Sequence, residues 1–475
     1  MKFTDIMQRF VEGSPACVMV RGTMENVVTP ELLDEVFEKT ARRQYFRELL
    51  FSSVVGLLGM VATGIRKSVN DAYKAEKERF TVSVAAVYDK LQGVETEVSR
   101  QMIRQTALRM ANVVRRLQPR CGPRLSGYRT KIIDGNHLPA SEHRIAELRK
   151  TRQGPLPGQT LVVLEPDLML ATDVFPCEDG HAQERSLLPQ VLETVALNDL
   201  WIADRNFCTT GFLFGIARRK GAFVIRQHGS TLNYQRVGKR RRIGRCPTGM
   251  IYEQRMRLFH PDGSSLVIRR VTVELDQPTR NGEAEIHLLT NLPVRKADGR
   301  TVADLYLGRW TVENAFQELG QAFSSEINTL GYPKAALLSF CVALLAYNVI
   351  SVVKTALAAA HGKALPRDRV SGYYLAGEIA ATYNGMLIAV PAPQWQRRFG
   401  QLTPSQLAKV LLHLAGKVRP DRFLKNLRGP KKPRPKRISG ARDHHISTAR
   451  VLEKQKTTKN TCSDSLKGVG ACCPR

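Results

Sequence analysis

Nine cysteines are spread over 475 residues with no C-x-x-C among them. That spacing excludes a zinc knuckle and a disulfide framework, and it fits a reducing cytoplasm. The opening stretch, MKFTDIMQRFVEGSPACVMV, lacks the charged start and apolar core of a secretory signal. No internal repeat and no clear helix-turn-helix stands out. Tryptophan is scarce too: Trp201, Trp310 and Trp395 are the three. The largest deficit is in acid, with 43 Asp and Glu against 72 Lys and Arg, a formal net charge of +29. A field of that sign favours a polyanion, either nucleic acid or an anionic membrane surface. The length exceeds one compact core, so two or three domains are expected.

Two apolar runs, 49–65 and 335–353, are weighed as membrane spans. The first is short and holds three glycines; the second contains Asn348 and is flanked by Lys334 and Lys354. Both read as buried helices, and no membrane partner is expected.

The pattern along the chain changes several times. Residues 1–118 have helical periodicity, with Thr29-Pro30 and the acidic Glu31, Asp34 and Glu35 marking one helix start. After the linker CGPRLSG come three apolar strands, RTKIIDG, TLVVLEP and LATDVFP, then an amphipathic helix over 184–197 and a further strand, DLWIADRNF. This order implies a mixed sheet flanked by helices. Residues 212–292 are mostly β, with a basic turn, RVGKRRRIGR, at 236–245. Helices return from 302, among them YLGRWTVENAFQELG at 306–320. From 418 the chain is basic, rich in proline and poor in apolar residues, the composition of a disordered tail.

Two aspartates stand where an apolar strand meets a loop: Asp134, between Lys-Ile-Ile and Gly135, and Asp204, between Trp-Ile-Ala and Arg205. In 306–320 a helix would stack Tyr306, Arg309 and Glu313 on one stripe, with Trp310 and Phe316 as its packed underside. Strand-end carboxylates usually cap turns, and a lone Arg/Glu pair is usually a surface ion pair. Together they offer three hard oxygen donors, which suit Mg²⁺. Two such ions, about 3.5–4 Å apart, serve phosphoryl transfer.

The motifs DGNHL (134–138), ADRNF (203–207) and Y-x-x-R-W-x-x-E (306–313), with the long β segment before Glu313, resemble the DDE transposases of bacterial insertion sequences, and among them the insertion-sequence-four family. The resemblance runs over about 30–420. It implies a ribonuclease H-like α/β fold interrupted by a β-rich insertion. It further implies catalytic, metal-binding roles for Asp134, Asp204 and Glu313 with two Mg²⁺ ions (Mn²⁺ as substitute), and phosphate contacts from Tyr306 and Arg309. Where the family carries a lysine, seven residues after the glutamate, this chain has Gly320. None of the three tryptophans lies in the insertion, where some relatives use one to hold a flipped base.

The expected organisation is an N-terminal helical DNA-binding domain (1–120), a first catalytic segment (121–210), the β insertion (211–293), a second catalytic segment with C-terminal helices (294–417) and the tail (418–475). Arg205, His137 and the run Lys239, Arg240, Arg241 and Arg242 are further candidate DNA contacts, since so dense a basic run repels itself without an anionic partner. The expected function is cut-and-paste DNA transposition by a dimer assembled on inverted-repeat ends. The alternative is a decayed or repurposed transposase that binds DNA without cutting it.

Overall fold

The computed structural model describes residues 4–44, 48–118, 122–138, 141–142, 144–150, 155–229, 232–279, 282–324 and 327–426. Seven helices open the chain: α1 (Asp5–Gly13), α2 (Pro15–Val27), α3 (Pro30–Thr40), α4 (Phe51–Ala62), α5 (Val69–Ala75), α6 (Val84–Gly93) and α7 (Thr96–Leu117). Their starts follow local chemistry. The Thr29 hydroxyl accepts the Leu32 N–H with Pro30 at the first helical position, and Ser68 and Ser83 cap α5 and α6 in the same way.

Three strands follow, β1 (Arg129–His137), β2 (Gln159–Glu165) and β3 (Leu170–Cys177). Short helix α8 (Leu188–Leu192) leads to β4 (Asp199–Ala203), and α9 (Thr210–Arg218) to β5 (Ala222–Arg226). Then come β6 (Tyr234–Cys246), β7 (Gly249–Phe259), β8 (Ser265–Leu275) and β9 (Glu285–Thr290). The last group is helical: α10 (Gly299–Leu307), α11 (Trp310–Ala322), α12 (Pro333–His361), α13 (Gly372–Ala389), α14 (Ala392–Trp395) and α15 (Pro404–Ala415).

The nine strands form one sheet in the order β3-β2-β1-β4-β5-β9-β8-β7-β6. β1, β2 and β3 pair antiparallel, and β1–β4 and β4–β5 pair parallel. This is the ribonuclease H-like arrangement that the resemblance implied. Alternation along the strands splits the core in two. Ile132, Val162, Leu200 and Ile202 face α7 and α12, while Ile133, Val163, Trp201 and Phe223 face α8 and α9.

Three boundaries differ from the sequence reading. The N-terminal helices share one core with the sheet rather than standing apart, and the Arg100 guanidinium of α7 grips Asp173 of β3 at 3.0 and 3.1 Å. α9 and β5, expected inside the insertion, belong to the central sheet; the excursion is β6 to β9, and β9 returns to pair with β5. Residues 418–425, expected in the tail, are packed: Phe423 is buried, and Leu424 bridges Val370. Local composition conceals this, because two apolar side chains suffice to anchor a basic stretch. The remainder of the expected tail, from 427, lies outside the described residues.

Among the described residues α12 is the one helix long and apolar enough to cross a membrane, and it is buried in the protein interior. Its Asn348, fully buried, donates to the Ala171 carbonyl and accepts the Ala171 N–H, both at 2.8 Å. The amide thus satisfies the outer edge of β3 from inside the core. Replacing Asn348 with Leu strands both backbone groups, each at a cost of about 1–3 kcal/mol. A clear fall in the urea midpoint is expected; an unchanged midpoint would mean that water replaces the amide.

Candidate active site

Parallel pairing of β1 with β4 sets Ile132 opposite Ile202. Two residues further on stand Asp134, still in β1, and Asp204, the residue just past β4, and the charge of Asp204 is felt at Asp134. The Gly135 N–H donates to Asp134 Oδ1 at 3.0 Å, and the Asn206 N–H to Asp204 Oδ1 at 2.8 Å. Asp134 is thus held by the next residue of its own strand, which runs on to His137 instead of ending at the aspartate, and Asp204 by the turn that follows β4. α11 packs against β1 and brings Glu313, in its first turn, over this strand edge.

The segment 306–320 is not one helix. α10 ends at Leu307, α11 starts at Trp310, and Gly308 and Arg309 form a tighter turn between them, with the Arg309 N–H donating to Tyr306 O and the Val312 N–H to Arg309 O. The turn changes which side chains are covered. Tyr306 and Arg309 are buried, whereas Trp310, expected on the packed underside, is 54% exposed. Phe316 is partly buried against the core. Tyr306, Arg309 and Glu313 still lie together. Arg309 donates Nη2–H to Glu313 Oε1 at 2.6 Å, and its guanidinium carbon is 5.9 Å from the Tyr306 ring centre.

Arg309 also donates Nη1–H to Asp134 Oδ2 at 3.1 Å. One guanidinium therefore joins the first and third carboxylates. Burial pushes the Asp134 carboxyl up to about 7; Arg309 opposes this, Asp204 and Glu313 add to it, and the Gly135 N–H opposes it. Burial likewise raises the Tyr306 phenol, with Arg309 and Arg226 opposing and Asp204 contributing. The charges of Asp134, Asp204 and Glu313 are thus mutually felt at one place.

As they stand, no three His, Cys, Asp or Glu side chains among the described residues come close enough together to hold a metal ion. The donor chemistry nonetheless suits a hard divalent cation: three carboxylates, no soft ligand, and a positive group already drawn between two of them. Arg309 occupies the side of Asp134 and Glu313 that a cation would take.

The other expected residues are more dispersed. His137 is exposed at the end of β1 and by strand alternation faces away from Asp134. Arg205 is exposed and pairs with Glu283 at 3.2 Å. The basic run is not a turn but the outermost strand, β6, with register shifts on either side of Arg241 and Arg242 and positive φ at Gly238 and Gly244. Charge and bulges on an outer strand also block edge-to-edge pairing, which is a purely structural use of the same residues. Arg240 stacks over Tyr252 at 4.0 Å and pairs with Glu285 at 2.9 Å; Arg242 reaches the Met250 sulfur; Lys239 and Arg241 are exposed. Gly320 is exposed, with open space where a side chain would start.

Two charged residues near the site escaped the sequence reading. Arg226 ends β5 beside β4, pairs with Glu283 and acts on Tyr306. The strand-end criterion that picked out Asp134 and Asp204 finds it too. Glu184 accepts a hydrogen bond from the Asn206 side chain.

Residues 125–349, which include Asp134, Asp204 and Glu313, match the family described as the transposase DDE domain. No curated protein matches the chain. Among solved structures that match is a cryo-EM piggyBac transposase synaptic complex with hairpin DNA, at 10% identity over 88% of this chain and 87% of that one, with a TM-score of 0.35.

Proposed function

We propose that this chain, similar over 125–349 to the transposase DDE domain, is a DNA transposase of the insertion-sequence-four kind. It would bind the inverted-repeat ends of its element as a dimer, cleave them and join them to a target. The observation that carries this reading is the nearness of Asp134 on β1 to Asp204 just past the neighbouring parallel strand β4, with Arg309 joining Asp134 to Glu313.

Asp134, Asp204 and Glu313 would hold Mg²⁺ or Mn²⁺, which when bound supplies Lewis acidity at the attacked phosphate. Water oxygen bonds to phosphorus and the 3′ oxygen leaves as a hydroxyl. That hydroxyl then attacks a second phosphodiester. No side-chain nucleophile is required. Arg309 turns from the carboxylates to a non-bridging phosphate oxygen pair, which its planar fork matches. Tyr306, packed beneath it, limits the positions the guanidinium can take. The exposed Lys239 and Arg241 of β6, with Arg240, Arg242 and Arg205, contact the DNA backbone and contribute salt-dependent affinity without reading sequence.

The experiment is cleavage of a plasmid carrying the DNA that flanks this gene, with Mg²⁺, with EDTA, and with Glu313→Ala. Metal-dependent cuts at the ends that vanish in the variant support the reading. The second reading, a transposase that binds but no longer cuts, draws on Gly320 in place of a lysine and on carboxylates tied to Arg309. Tight binding of those ends with no cutting under either ion would establish it instead.

A further inference from the structure

Glu184 opens a short 3₁₀ turn, Glu184–Leu187, between β3 and α8. Its carboxylate has two neighbours, and each adjoins a proposed metal ligand. One oxygen accepts the Asn206 side-chain N–H, and the backbone N–H of that same Asn206 holds Asp204 Oδ1 at 2.8 Å. The other oxygen lies against Gly135, whose N–H holds Asp134 Oδ1 at 3.0 Å. A Cβ built on Gly135 would stand 1.8 Å from Glu184 Oε1, so this approach exists only because residue 135 has no side chain. Arg185, the next residue, donates Nε–H to the Asn206 carbonyl at 2.7 Å and fixes the same loop from its other side.

Gly135 follows Asp134 in a strand, so its Cβ position faces away from Asp134. Glu184 therefore lies beneath the carboxylate pair rather than among it. We propose that Glu184 is a positioning residue: it sets the turn after β4 against Gly135 of β1 and so sets the separation of Asp204 from Asp134. This rests on the metal-binding reading above. Outer-shell partners of metal ligands govern affinity by holding the ligands in place, and their loss typically weakens binding about 10- to 100-fold.

The test is Mn²⁺ binding to the full-length, DNA-free protein, followed by electron paramagnetic resonance of the free ion. Far-ultraviolet circular dichroism and a melting curve accompany each variant. Glu184→Ala is expected to weaken binding about 10- to 100-fold while the fold persists. Glu184→Gln retains an oxygen that accepts from Asn206 and is expected to bind nearly as the parent does. Gly135→Ala pushes the flexible carboxylate aside and should weaken binding as Glu184→Ala does, without touching Glu184. Unchanged binding in Glu184→Ala, with loss in Asp134→Asn, overturns the positioning role and leaves the metal site intact. Equal losses in Glu184→Gln and Glu184→Ala also overturn it, since charge rather than position would then matter. Absence of Mn²⁺ binding by the parent protein overturns the metal reading itself, and this inference with it.

Discussion

Asp134→Asn abolishes cleavage of DNA ends and at the same time makes the protein harder to melt at pH 8. The first effect follows from removing one of three charged donors at the reacting phosphate. A rate loss of about 10³-fold or more is expected, comparable to the loss of a transition-state electrostatic contact in other enzymes. The second follows from the raised pKa. A carboxyl that titrates near 3.8 unfolded and about 7 folded binds its proton more tightly in the native state. Between those values stability falls as pH rises, and above 7 the whole penalty is present. The amide carries no such charge. Its gain is a few kcal/mol at pH 8, at about 1.4 kcal/mol per pKa unit, and vanishes below pH 4. Melting curves of both proteins across pH 4–8 check this. A variant that melts below the parent at pH 8 would show that the Arg309–Asp134 pair outweighs burial. The same shift implies proton release on metal binding, so ion affinity should rise with pH through about 7.

Arg309→Ala separates two functions that otherwise stay merged. In the DNA-free protein the guanidinium pairs with Asp134 and Glu313 and would compete there with a bound cation. A hydrogen bond to a charged group contributes about 1.5–3 kcal/mol, so removing the competitor should raise Mn²⁺ affinity about ten- to a hundredfold. Cleavage should nonetheless collapse, because the phosphate loses its bidentate partner. Tighter metal binding with lost activity is the expected pair of results, read by Mn²⁺ titration and plasmid cleavage. Unaltered metal affinity would show that the guanidinium does not stand in the ion's place. Lysine at this position should not restore cleavage, since a single ammonium cannot reproduce the fork.

Much of this arrangement can be read from local pattern. RTKIIDG and DLWIAD show their strands through apolar runs, and Thr29-Pro30 shows a helix start through its cap; Asp204 does follow the end of β4, but the expected strand end at Asp134 does not hold, because β1 continues through Gly135 to His137 along β2. What local pattern omits is pairing. That β1 and β4 run parallel with Ile132 beside Ile202, which brings the two aspartates near each other, follows from the crossover and not from either strand alone. Helical spacing made Trp310 a core residue; the chain instead breaks between α10 and α11 at Gly308 and Arg309, and the ring at the start of α11 is exposed. The basic run looked like a turn because charge and glycine dominate it, yet β7 supplies a partner strand and glycine bulges absorb the misfit. Glu184 was invisible for another reason. Its importance lies in a gap above a glycine 49 positions earlier, and no periodicity records a contact of that kind.

The continuity of the sheet bears on how DNA held at the far edge would act on the centre. From β6 to β4 the backbone is hydrogen-bonded strand to strand through β7, β8, β9 and β5. Such pairing couples the position of each strand to that of its neighbours. Each strand turns by about 20–25° relative to its neighbour, so five steps rotate the outer strand by roughly a right angle or more relative to β4. A duplex aligned along β6 would then run across the line of β4 rather than along it. Its pull would arrive at Asp204 as torsion passed along the paired strands, and the outer edge would then act as a lever on the chemistry.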